Sequence, residues 1–218
     1  MGKGKKPIES PRCTKCVMKP CYRDTSLKGA PKFCPILTKH EIIEEALKIY
    51  KQDESLRKLH HAATLIESEG YGEWPRVKEV VELCKKLNVT RVGIAFCIGL
   101  SDEARILDEI LESWDLQVYS VCCKCGSIDK RWLGINENEK LRPGSHEAMC
   151  NPILQALLLN SVGTELNVVV GLCVGHDSIF MRYSKAPVVY LIAKDRVTGH
   201  NPVAALYARR YFRKRILP

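Results

Sequence analysis

No stretch of this chain approaches the ~20 consecutive apolar residues that a helix needs to cross a bilayer. Its start, Met1-Gly-Lys-Gly-Lys-Lys-Pro, lacks the apolar segment that marks a secreted protein. The expectation is a soluble, cytoplasmic protein with no membrane association. Several catalytic signatures are missing as well. There is no G-x-x-x-x-G-K phosphate loop, no G-x-G-x-x-G dinucleotide fingerprint, no G-x-S-x-G elbow and no H-E-x-x-H pair. Nucleotide-driven, serine-hydrolase and zincin chemistry are therefore disfavoured.

What the chain does have is sulfur. Eleven cysteines in 218 residues, in a chain expected inside the cell, argue for metal ligation or redox chemistry rather than a disulfide framework. The length suits one α/β domain with an appendage. The formal net charge of +9 would ordinarily raise nucleic acid as a partner. That count treats every thiol as neutral, and metal-bound cysteines are not. The basic, aromatic stretch Tyr207-Ala-Arg-Arg-Tyr-Phe-Arg-Lys-Arg-Ile could track a nucleic-acid backbone. Cations at a helix C-terminus explain it as well, so nucleic acid is not the favoured partner.

The lysine-rich residues 1–12 read as a frayed end. Cys13, Cys16, Cys21 and Cys34 follow, a C-x2-C-x4-C-x12-C spacing set among Pro20, Gly29 and Pro31. So short a segment has no apolar face to fold around, and a metal held by four thiols would be its core. Three close cysteines plus a remote Cys-Pro lean towards a [4Fe-4S] cluster, with zinc the alternative. Residues 1–40 are thus read as a metal module and 41–88 as a helical segment, with helices over 41–51, 54–67 and 76–88. Cys84 falls on the apolar stripe of the last and reads as packing.

From residue 89 the pattern becomes strand–helix alternation, predicting a parallel α/β domain to residue 218 of Rossmann/flavodoxin-like, three-layer type. Strands are predicted over 91–97, 116–123, 166–173 and 187–194, and helices over 102–114, 151–161 and 202–215. Ligands in such sheets sit beyond the carboxyl ends of the strands, where Cys97 and Cys173 fall in the matching phrases Phe-Cys-Ile-Gly and Leu-Cys-Val-Gly. A second echo, Cys150-Asn-Pro and His200-Asn-Pro, opens a helix each time. Cys97, Cys122, Cys150 and Cys173 could together hold a second [4Fe-4S] cluster. Side chains alternate along a strand, so Cys122 and Cys123 should face opposite ways. Cys122 is the first choice, with Cys123 the alternative and Cys125 able to substitute. His176, Asp177, Asp195 and His200 should line the same crevice and could move protons for a small-molecule substrate.

The phrases Gly-Ile-Ala-Phe-Cys-Ile-Gly-Leu (93–100), Val-Cys-Cys-Lys (121–124), Glu-Ala-Met-Cys-Asn-Pro-Ile (147–153), Gly-Leu-Cys-Val-Gly-His-Asp (171–177) and Lys-Asp-Arg-Val-Thr-Gly-His-Asn-Pro (194–202) resemble an uncharacterised cysteine-rich family. It is known as a domain of unknown function, number eighteen forty-seven, and described as metal-binding. The resemblance runs from Cys13 to about Tyr207 and implies metal binding without naming a reaction. Cys125 departs from the family pattern. The function expected is an iron–sulfur protein of redox or sulfur metabolism with a small-molecule substrate or an electron-transfer partner. The alternative is a non-catalytic metal or redox sensor, or a carrier. Neither the oligomeric state nor whether the protein is an enzyme follows from the sequence.

Overall fold

A computed structural model describes residues 11–22 and 26–218, so the lysine-rich residues 1–10 lie outside the described part. The chain divides into two compact units, Met1–His61 and Ala62–Pro218.

The first unit holds short 3-10 turns at Cys13–Lys15 and Pro20–Tyr22, then α1 (Pro35–Thr38), α2 (His40–Gln52) and the start of α3 (Glu54–Gly70). Pro35 at the first helical position follows the extended Cys34, the arrangement a proline favours. Asp53 ends α2 and starts α3, its carboxylate accepting the Leu56 N–H at 3.1 Å.

The second unit is α/β, as the alternating pattern predicts. α4 (Arg76–Leu87) precedes β1 (Arg91–Phe96), α5 (Ser101–Glu112), β2 (Gln117–Cys122), α6 (Pro152–Ser161), β3 (Leu166–Val170), α7 (His176–Tyr183), β4 (Val188–Ile192), α8 (Val203–Tyr207) and α9 (Arg209–Ile216). The four strands are all parallel, in the order β2-β1-β3-β4. From β1 the chain moves outward to β2, then returns across β1 to β3 and on to β4. Right-handed crossovers put α5 on one face and α6 and α7 on the other, and α6 packs on α7. Covered on both faces, the central strands have no polar alternation. β3 is buried at every position and β1 at its four inner ones. Phe180, Ile94, Leu100, Leu107, Leu111 and Leu159 are among the largest fully buried side chains, each contributing about 1.5–3 kcal/mol.

Two buried amides brace this core. Gln155 of α6 donates to the carbonyls of Phe96 (3.2 Å) and Val121 (2.7 Å), tying the ends of β1 and β2 to the helix above. Asn167 on β3 donates to Ser184 Oγ at 2.8 Å. No helix of the described residues is long and apolar enough to cross a membrane.

The structure departs from the predicted elements in three places. β3 stops at Val170 because Gly171 takes a left-handed φ of +63°, and a Cβ there would meet Leu100 at 2.7 Å. The next segment, for which no helix is predicted, is α7, in whose first turn Asp177 accepts the N–H groups of Gly175 and Ser178. The helix predicted over 202–215 breaks at Ala208, whose φ/ψ of −87°/27° is not helical.

Gly93 is the register partner of Asn167 on the adjacent strand, and a Cβ there would collide with the Asn167 amide oxygen and stand 2.9 Å from Leu159 Cδ1. Gly93→Ala is expected to destabilise the second unit by about 1–3 kcal/mol, the usual cost of overpacking. Urea denaturation checks this, and an unchanged midpoint would contradict it.

Candidate functional site

The parallel register fixes where each strand releases the chain. Phe96 pairs with Cys122 on one side and Val170 on the other, so Cys97 and Cys123 are the next residues out on adjacent strands. Their N–H groups continue the ladder, Cys97 to the Val170 carbonyl (3.1 Å) and Cys123 to the Phe96 carbonyl (2.8 Å). Cys150 arrives on the same rim because the Asn151 N–H donates to the Cys123 carbonyl at 2.8 Å and Asn151 then caps α6 through the Leu154 N–H. Cys173 follows β3, and Lys194 and Arg196 follow β4.

Two of these sulfurs touch, Cys123 and Cys150, in Sγ–Sγ hydrogen-bond contact at 3.9 Å, and the Ile98 N–H donates to Cys123 Sγ at 3.4 Å. Cys97 stands close enough for its thiol and that of Cys123 to shift each other's titration. Cations complete the set, with Lys194 Nζ 3.2 Å from Cys97 Sγ and Arg196 donating to Cys173 Sγ at 3.3 Å.

The electrostatics follow from those contacts. The Cys123 hydrogen bond, helped by the Gly99 N–H and the Lys194 ammonium, draws the Cys97 thiol down to about 4. The same Cys123 contact, with Lys124 and His176 contributing, draws Cys150 down to about 5. Cys123 itself is pushed up, first by its bonds to Cys150 and Cys97 and then by burial. The three thiols titrate as a coupled group in which the outer two lose their protons before the central one. Cys84 contrasts with them. Wholly buried in α4, its thiol is pushed up to about 11 by burial, and it serves as packing.

The thiolates face a cavity of about 750 Å³ lined by Cys97, Cys150, Cys173, His176, Lys124 and Arg196 on the sheet side. Its other wall is the segment between β2 and α6, including Ile135, Leu141 and Met149. Carboxylates organise that segment. Asp129 accepts the N–H groups of Arg131 (2.9 Å) and Glu147 (3.1 Å), and Glu137 accepts from Lys140 (2.7 Å) and the Gly144 N–H (2.8 Å). Lys140 is buried between Glu137 and Asp129, and Arg131 and the backbone donors hold the Asp129 carboxyl well below the usual carboxylate range.

The site residues expected from the sequence separate accordingly. Cys97, Cys150, Cys173 and His176 line the cavity. Cys123, rather than the first-choice Cys122, contacts Cys150, because side chains alternate along β2 and Cys122 faces the other way. Cys122 Sγ instead accepts the Lys124 N–H at 3.5 Å. Asp177 spends its carboxylate on the N–H groups of Gly175 and Ser178 at the start of its own helix. Asp195 accepts the N–H groups of Val197 and Thr198, and its own N–H donates to His200 Nδ1. Asp177, Asp195 and His200 therefore shape turns and do not line the cavity. His200 has a φ of +64° and Pro202 no side-chain cap, so the second Asn-Pro phrase does not repeat the first. Of the N-terminal set, Cys34 is buried, Cys16 half-buried, and Cys13 and Cys21 exposed. Among the described residues no group of three or more His, Cys, Asp or Glu side chains is arranged to hold a metal ion as it stands. The Lys194-Asp195-Arg196 turn is expected at this site from the sequence, with these residues equally able to pair as structural ions; that Lys194 and Arg196 instead partner sulfur, and that Lys124 joins them, is not.

Residues 34–191 match a family described as a protein of unknown function (DUF1847). An uncharacterized protein of Methanocaldococcus jannaschii is 43% identical over 203 residues, covering 93% of this chain and 97% of that protein.

A thiol whose pKa is lowered on folding keeps its charge as pH falls to the folded value. In reduced, chelator-treated protein, thiolate ultraviolet absorbance from Cys97 and Cys150 should therefore persist from pH 9 down to about 5 and vanish below about 4. Cys123→Ala should move both transitions upward, since the hydrogen bond that lowers them is lost. Absorbance that disappears near the ordinary thiol value in the unsubstituted protein would contradict the arrangement.

Proposed function

We propose, starting from the fact that the chain belongs to the DUF1847 family, that the crevice is a thiolate centre for a thiophilic metal, an iron–sulfur cluster above all. Cys97, Cys123, Cys150 and Cys173 are its ligands, and the cavity is its substrate or electron-partner face. The observation that carries the reading is the meeting of three sulfurs from three separate segments at the edge of the sheet. Charge supports it. A cluster ligated by four thiolates is anionic, and Lys194, Arg196 and Lys124 stand around these sulfurs. N–H···S contacts of this kind tune the potential of such centres. Cys123 must give up its proton to serve as a ligand. When bound, a cluster would supply electron transfer or, at an iron open to the cavity, a Lewis acid.

The strand order supports the finer fold reading. β2-β1-β3-β4 reproduces four strands of the flavodoxin-like order, with the crevice beside the β1/β3 switch point where that class binds its ligands. The N-terminal Cys13, Cys16, Cys21 and Cys34 would form a second centre, a reading supported by their spacing.

One distance favours a different metal. Sulfurs about a tetrahedral zinc with 2.3 Å bonds lie about 3.8 Å apart, close to the 3.9 Å between Cys123 and Cys150. The second reading is a zinc-thiolate site in a non-catalytic sensor.

Protein purified without oxygen should contain iron and acid-labile sulfide, and Cys97→Ala and Cys173→Ala should each lose the same spectroscopic centre. Zinc without sulfide would overturn the iron–sulfur reading. Full metal content in every single variant would overturn the shared crevice.

A further inference from the structure

β2 ends in Cys122-Cys-Lys-Cys125, a C-x-x-C spacing whose middle cysteine alone belongs to the crevice. Neither Cys122 nor Cys125 lines the cavity. The chain folds into a tight turn here, with the Cys125 N–H donating to the Cys122 carbonyl at 3.1 Å. Such a turn holds its first and fourth Cα atoms within about 7 Å, and disulfides span Cα separations of about 4.4–6.8 Å. Cys122 Sγ accepts the Lys124 N–H at 3.5 Å inside the same turn. Both residues are half-buried, and the turn leads into Gly126 and Ser127 with φ of 86° and 48°, so the chain leaves sharply.

We propose that Cys122 and Cys125 form an oxidisable dithiol, separate from the crevice thiolates, whose disulfide closes a ring containing Cys123 and Lys124. The co-reactant is a low-molecular-weight disulfide. The Cys122 thiolate attacks one of its sulfurs, forming a mixed disulfide and releasing one thiolate. The Cys125 thiolate then attacks Cys122 Sγ, forming the protein disulfide and expelling the second. The two protein thiols lose two electrons and two protons, and the external disulfide is reduced to two thiols. The ring brackets Cys123, whose sulfur contacts Cys150, and Lys124, which donates to the Ala148 carbonyl.

Lys124 makes the linkage readable. Trypsin cutting after it separates residues 106–124 from 125–130, which stay joined only through a disulfide at Cys125. The full-length protein would be equilibrated in buffers of reduced and oxidised glutathione, alkylated, digested and mapped by mass spectrometry. In oxidising buffer the joined peptide should appear and the label at Cys125 be lost. Reducing buffer should reverse both. The join should vanish in Cys122→Ser and survive in Cys123→Ser, whose folding circular dichroism would verify. Label at Cys125 in every buffer, a join that persists in Cys122→Ser, or Cys125 joined to the peptide carrying Cys150 would each overturn the proposal. Because the readout needs no metal, its failure would leave the crevice reading standing.

Discussion

Everything in the second unit follows from four parallel strands ending in register at one edge. A parallel strand cannot return by a hairpin, so each must release its chain at the same rim and recross through a helix. The outward step to β2 and the return to β3 place that rim at a reversal of direction, where two crossovers diverge and leave a crevice. Sulfur from residues 97, 123, 150 and 173 is delivered there by connectivity alone. Gln155 then fixes the two strand ends that carry Cys97 and Cys123 by donating to the carbonyls of Phe96 and Val121.

Two thiolates pressed against a third sulfur would repel in an apolar setting. They are tolerated because Cys123 holds its proton more tightly than its neighbours, while Lys194 stands against Cys97 and Arg196 against the nearby Cys173. Buried charge is costly unless paired and hydrogen-bonded, and here both conditions are met within one layer of side chains. Opposite stands a segment with little regular structure, folded instead about Asp129, Glu137 and Glu147, whose carboxylates satisfy its backbone N–H groups and hold Lys140 out of water.

Much of the second unit was legible in the sequence, since apolar runs of five or six residues alternating with 3.6-period stretches specify a parallel α/β domain. The strand-Cys-x-Gly phrases located the rim because strand ends are marked by local chemistry. What escaped was set by neighbours distant in sequence. Whether Cys122 or Cys123 faced inward depended on the register with β1, which no local pattern encodes. α7 was hidden because Gly175 and Asp177 read equally as a turn. Asp195 and His200 look reactive in isolation, but their hydrogen bonds are spent on their own loop. The ion pairs of Lys140 and the sulfur contacts of Arg196 join residues whose meeting only the folded chain decides.

The central claim is that one heavy-atom centre belongs between Cys97, Cys123, Cys150 and Cys173. Crystals of the protein grown without oxygen, with diffraction recorded on either side of the iron absorption edge, address it directly. The account predicts an anomalous peak bonded to these sulfurs at the mouth of the cavity. An ordered crevice with no anomalous scatterer, its sulfurs bonded only to one another and to Lys194 and Arg196, would contradict it.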